Sequence, residues 1–219
     1  MGQRFQIVFV LPPVYMNENN PNNRSEKVIT FHSQWLFGKG AIITNLRILQ
    51  RLKEAIEKKR ECGIYGETKE DFINHFLERT IRAVIKWASV QDLHNEVRIS
   101  ESQVLDYSKE QEKPREEQRT FGDLLKSEDN NNGFFICRID KELNMDYSFI
   151  SGKEDTDICE IKTPKEYLNL FYTDKTLEKE EEGEITKPME EFIQEYSKFK
   201  QIPQTAQTAL NNTLEVLNE

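Results

Sequence analysis

The chain is poor in the residues that metal centres and disulfide frameworks require. Its 219 residues include only three cysteines, Cys62, Cys137 and Cys159, which lie far apart and form no Cys-x-x-Cys pair. An odd, scattered set of cysteines supports neither a disulfide framework nor a cysteine-rich zinc site. The three histidines are isolated as well. We therefore expect no metal site, no cofactor and a cytoplasmic location.

Long apolar runs are also missing. No stretch approaches the roughly 18 apolar residues that a transmembrane helix needs, so we expect no membrane partner. Apolar residues make up 37% of the chain and charged residues 32%, the first below and the second above the usual globular range. Part of the chain must therefore be solvated, while the ordered part still buries enough apolar surface to form a core.

Recognisable catalytic patterns are absent from the sequence. Lys39 follows a glycine, but the first glycine of a phosphate-binding P-loop is missing and Gly40 stands where Ser or Thr is required. His32 and Ser33 are adjacent on a predicted strand, where neighbours point to opposite faces and cannot pair. We predict no catalytic residue and lean against an enzyme.

The apolar pattern predicts an α+β fold with a mixed or antiparallel sheet. Strands are expected near 4–11, 28–37, 134–140 and 146–151, where β-branched and aromatic residues dominate. Two long helices, 41–60 and 69–89, carry apolar residues at helical spacing and should cover the sheet. The region from Leu105 to Lys126 is highly charged and predicts a surface loop or a weak helix. We expect these residues almost fully buried: Ile7, Phe9, Leu46, Leu49, Ile81 and Ile85.

A change of composition divides the chain in two. Residues 1–175 are predicted to form a single α+β domain, and residues 176–219 an acidic linker followed by a helical C-terminal arm. Proline near the start of each arm segment suits the first turn of a helix. The apolar stripes of these short helices need a surface to pack on. The proposed interaction residues are Phe192, Tyr196, Leu210, Leu214 and Leu217.

The charge distribution is uneven. Residues 1–60 carry ten Lys and Arg against four acids, a net charge of +6. Because the whole chain has a net charge of −9, the remaining residues carry −15. Either the protein has a basic contact surface separate from an acidic region, or the two parts neutralise each other in the fold. The basic residues off the apolar stripes of the two helices are Arg47, Arg51, Lys58, Lys59, Arg79, Arg82 and Lys86, with Trp87 close by.

Two functions remain open at this point. The leading interpretation is a non-enzymatic protein that binds another macromolecule, a partner protein or a second copy of itself in a homo-oligomer, with the arm reaching a neighbouring subunit. The alternative is a nucleotide- or nucleic-acid-binding protein that holds phosphate with Lys39, Gly40, Arg47 and Arg51. Helix N-terminal amides and lysine favour anions, which is the basis of the alternative.

Overall fold

A computed structural model describes residues 4–12, 14–15, 24–25, 27–34, 36–61, 69–91, 98–126, 131–152 and 160–171. The strands are β1 (Arg4–Val10), β2 (Val14–Tyr15), β3 (Arg24–Ser25), β4 (Lys27–Gln34), β5 (Arg98–Asp106), β6 (Phe134–Ile139), β7 (Met145–Ile150) and β8 (Ile161–Lys162). The helices are α1 (Gly38–Glu61), α2 (Lys69–Gln91), α3 (Tyr107–Gln111), α4 (Phe121–Lys126) and α5 (Pro164–Asn169), with a 3₁₀ turn at Arg115–Glu117. None of these helices combines the length and the apolar character needed to cross a membrane.

Six strands form one mixed sheet in the order β5-β4-β1-β6-β7-β8, and β2 and β3 form a separate two-stranded sheet. The central strand β1 is antiparallel to β4 and parallel to β6. The other neighbours in the large sheet are antiparallel. The predicted α+β class and the sheet are therefore confirmed, with a single parallel pair making the sheet mixed.

One face of the sheet packs against α1, α2 and α5. Odd-numbered residues of β1 point to this face, as the two-residue period of a strand requires, and they meet the apolar stripes of the two long helices. The predicted core residues are confirmed, with 0 to 4% of each side chain exposed. They are Ile7, Phe9, Leu46, Leu49, Ile81 and Ile85.

The opposite face carries a second, smaller apolar cluster. Val8, Val10 and Val28 of the sheet pack there against Leu124 and Leu125 of α4. The expectation that two long helices cover the sheet therefore holds for one face, and short elements between β5 and β6 pack on the other.

The segment from β4 into α1 differs from the predicted boundaries. The strand predicted at 28–37 ends at Gln34, and the helix predicted at 41–60 begins at Gly38. Gly38 has a φ of +50°, which glycine tolerates, and the Ala41 amide donates to the Phe37 carbonyl at 3.1 Å. The Gly-Lys-Gly sequence is thus part of the first helical turn.

The loop or weak helix predicted from Leu105 to Lys126 is wrong for its first two residues. Leu105 and Asp106 end a nine-residue strand, β5, which pairs with β4 at the edge of the sheet. The register shifts between Thr30 and Phe31, so an extra β5 residue breaks the alternation that marks a strand. The α3 and α4 helices follow, so the helical part of the prediction holds for these short segments.

The strands predicted at 134–140 and 146–151 are confirmed as β6 and β7, which pair as an antiparallel hairpin. The geometry at the entrance to this hairpin requires a glycine. Gly133 has a φ of +96°, and a Cβ there would lie 2.1 Å from the Ile150 carbonyl oxygen. The α5 helix begins after Thr163, which forms a reciprocal capping box with Glu166. That helix ends at Asn169, and the predicted C-terminal helices lie outside the described residues.

Candidate functional site

The outer surface of the α1–α2 pair holds a groove of about 540 Å³. Its walls come from side chains on the facing turns of the two helices. Arg51 of α1 meets Trp87 near the end of α2, whereas Lys59 meets Phe76 near its start, so the two helices run antiparallel. The lining residues are Arg51, Glu54, Ala55 and Lys58 of α1, with Arg79, Thr80, Ala83, Val84 and Trp87 of α2.

The small apolar side chains that line the groove, which we call its floor, are Ala55, Ala83 and Val84. Ala55 and Ala83 expose little more than a methyl group, and the Thr80 hydroxyl is used within its own helix, donating to the Phe76 carbonyl at 2.8 Å. Because these side chains are small, they leave room in the groove for a bulky apolar side chain from outside.

A cation–π contact fixes one end of the groove. The Arg51 guanidinium carbon lies 4.9 Å from the centre of the Trp87 ring, and its Nη1 lies 3.3 Å from a Glu54 carboxylate oxygen. About half of each of the Arg51 and Glu54 side chains is exposed, so this ion pair is worth little on its own. Its effect is to hold the guanidinium on the indole, with N–H donors left for a further acceptor.

Two further cations, Lys58 and Arg79, line the groove. Lys58 and Arg79 are exposed, and neither forms an ion pair within the described residues. With Arg51 they give three positive charges against the single carboxylate of Glu54. The groove is therefore locally basic in a chain whose net charge is −9.

Arg82, in contrast, is occupied by a structural network. It donates to Glu78 at 2.9 Å and to Glu101 of β5 at 2.6 Å, and Glu78 also pairs with Lys27 of β4. The hydrogen bond to Glu101 is the main reason why the pKa of Arg82 is raised. Burial alone would raise the pKa of Glu78, but hydrogen bonds from Lys27 and Arg82 outweigh it and lower that pKa. Of the basic residues predicted on α2, Arg82 thus anchors the helix to the sheet.

The structure does not bring the four predicted phosphate residues together. Gly40 is exposed in the first turn of α1, and the Lys39 side chain is not described. Lys39 and Arg51 are twelve residues apart, which is about 18 Å along a helix. Arg47 is exposed one turn before Arg51 and does not line the groove. The predicted interaction residues Phe192, Tyr196, Leu210, Leu214 and Leu217 lie outside the described residues.

Sequence reasoning placed Arg51, Lys58 and Arg79 on outer helix faces but did not predict the groove. The available signal was Trp87, an aromatic residue next to a basic helix face, together with Ala55 and Ala83 on the facing positions. Which turns of the two helices meet depends on their packing offset, and the sequence does not give that offset.

Groups that could perform chemistry are not assembled in the described part of the chain. No three His, Cys, Asp or Glu side chains cluster there as a metal ion would require. His32 is half-buried and Ser33 is buried on opposite faces of β4, as predicted. Burial raises the pKa of the Cys137 thiol, which disfavours the reactive thiolate.

Comparison of the chain with protein-family models, with curated proteins and with solved structures gave no match.

Proposed function

We propose that the protein acts by binding a polypeptide partner in the α1–α2 groove. The partner segment is amphipathic: carboxylates meet the cations of the groove, and an apolar side chain rests on its floor. The observation that carries the proposal is the Arg51–Trp87 contact beside Lys58 and Arg79, which form no ion pair with the residues that the structure describes. A helix that lays one face into a groove between two helices is a recurrent mode of peptide recognition.

Size and shape support a peptide segment. A groove of about 540 Å³ falls within the range of roughly 300–1,000 Å³ that is typical of sites for small ligands or a few side chains. Aromatic residues and arginine are the side chains most enriched at the energetic centre of protein interfaces, and this groove contains both.

The nucleic-acid alternative has less support from the geometry. Single-strand binders stack bases on open aromatic faces, but one face of Trp87 is covered by Arg51. Of the predicted phosphate residues, Gly40 and Arg51 lie eleven positions apart on α1, which is about 17 Å.

A synthetic 15-residue helical peptide with alternating Glu and Leu faces is a suitable probe, used with the full-length chain. Fluorescence anisotropy should detect binding, and Lys58→Glu combined with Arg79→Glu should weaken it about tenfold, equivalent to about 1.4 kcal/mol. Both residues are exposed, so the fold should tolerate the change. Arg47→Glu on the same helix, outside the groove, is the matched control and should have a small effect.

A 15-mer of thymidine nucleotides tests the alternative in the same assay. Groove-dependent peptide binding with weak oligonucleotide binding supports the proposal. Oligonucleotide binding that falls steeply with salt and is lost in Arg47→Glu would instead favour the phosphate-binding function. If neither the wild type nor the charge-neutralised variant described below binds the peptide, the proposal is refuted.

A further inference from the structure

We infer that the α1–α2 groove is occupied by the chain's own acidic segment, residues 178–196, which competes with an outside partner. This inference rests on the proposed function and names the first occupant of that groove. The segment belongs to the region of the chain beyond α5. Three observations carry it: charge, chain length and side-chain chemistry.

The charges of the groove and the segment are complementary. Residues 178–196 contain eight glutamates and two lysines, a net charge of −6, the densest acidic region of the sequence. The groove presents Arg51, Lys58 and Arg79 against one carboxylate. Pairing opposite charges across a contact selects the partner and suppresses wrong ones.

The chain is long enough to make the contact within one molecule. The described residues end at Phe171, whose ring lies 5.8 Å from that of Phe37, directly before the start of α1. Arg51 and Lys58 lie 13 and 20 residues along α1 from Gly38, which is about 20 and 30 Å. Seven extended residues from Phe171 to Glu178 span up to about 25 Å, and Glu184 is six residues further. No second copy is needed for the segment to reach the groove.

The side chains of the segment match what the groove recognises. Phe192 and Tyr196 recur at helical spacing next to Glu191 and Glu195. A helix over these residues would place an aromatic side chain on the floor of the groove and carboxylates toward Lys58 and Arg79. The segment has the same amphipathic pattern that we propose for the partner.

Competition provides the first test. A tethered segment has an effective concentration of about 1 mM, so an intrinsic Kd of about 0.1 mM would weaken binding of an outside peptide about tenfold. In the full-length chain, replacing Glu190, Glu191 and Glu195 by Gln should strengthen binding of the Glu/Leu probe peptide by about this factor. A matched control replaces Glu112, Glu116 and Glu117, which are exposed and lie away from the groove. Unchanged probe affinity in the Glu190/191/195 variant overturns the inference and leaves the proposed function intact.

Zero-length carbodiimide cross-linking gives an answer that does not depend on the probe. It joins a lysine amine to a carboxylate in direct contact, and mass spectrometry of the monomer fraction should find Lys58 linked to glutamates of residues 178–196. Lys141, exposed on the β6–β7 turn, is the control lysine and should form no such link. Absence of the Lys58 link overturns the inference even when the probe peptide binds.

The same experiment separates contact within one molecule from contact between copies. Links confined to a dimer band, with a molar mass by light scattering that doubles at micromolar concentration, would assign the segment to a neighbouring copy and overturn the intramolecular version. A monomer with concentration-independent cross-linking supports it.

Discussion

Replacing Gly133 by alanine should be among the most damaging single changes in this protein, although it adds only a methyl group. Gly133 has a φ of +96°, which a side chain disfavours by roughly 1–3 kcal/mol. The added Cβ would lie 2.1 Å from the Ile150 carbonyl oxygen and 3.0 Å from the Gly152 nitrogen, both rigid backbone atoms. The β6 and β7 strands would have to separate at this point, with the loss of hydrogen bonds worth about 1 kcal/mol each. We expect the free energy of unfolding to fall by at least about 3 kcal/mol, out of the 5–15 kcal/mol typical of a domain.

The effect is measured by urea denaturation followed by far-ultraviolet circular dichroism, with Gly40→Ala as a control that makes the same chemical change. Gly40 is exposed in α1, and the nearest atom to an added Cβ is Leu36 Cδ1 at 4.0 Å. Alanine should therefore stabilise the helix there by about 0.5–1 kcal/mol. A Gly133→Ala midpoint within error of the wild type, or equal destabilisation by both changes, would refute the reasoning.

The remaining predictions concern the core, a buried hydroxyl and one carboxylate. Leu49→Ala, at a fully buried position of α1, should lower the free energy of unfolding by about 2–5 kcal/mol, and an unchanged denaturation midpoint would contradict its assignment to the core. Tyr167→Phe removes a hydrogen bond of 2.7 Å to the buried Asn132 carbonyl and should cost about 1–3 kcal/mol in the same assay. A hydrogen bond from the Arg119 amide, and secondly one from the Lys113 side chain, lower the pKa of Glu110. Glu110 therefore stabilises the fold fully above its unfolded pKa of about 4.3. This contribution is lost as the pH falls through the lower pKa of the folded state. Glu110→Gln should therefore flatten the fall in stability between pH 5 and pH 3, and an unaltered pH profile would contradict the role of this carboxylate.

The parts of the fold that the sequence predicted well are those with strong local periodicity. The stripe containing Leu46 and Leu49 identifies α1, and the Phe5–Leu11 run, apolar except for Gln6, identifies a strand, because burial on one or both sides leaves a regular pattern. β5 was missed because Arg98–Asp106 is mostly polar and lies at the sheet edge. The bulge opposite Thr30 and Phe31 also interrupts its two-residue period.

The candidate site was less predictable than the fold, for a physical reason. The position of Arg51 on an outer helix face follows from the α1 sequence alone. Its contact with Trp87 depends on how two helices are offset when they pack, and small changes in several core side chains set that offset. The removal of Arg82 from the basic surface depends in turn on Glu101, a residue on the strand that local patterns did not reveal.

The parallel pairing of β1 with β6 has a consequence for how the chain folds during its synthesis. β1 can pair with β4 as soon as residue 34 is available, but its other edge is completed by residues that follow about 100 positions later. At ribosomal rates of about 5–20 residues per second, this interval lasts roughly 5–20 s. For that time the β1–β4 pair presents an apolar, unpaired strand edge of the kind that promotes aggregation. A nascent chain stalled before β6 should therefore be a better substrate for chaperones than the completed protein.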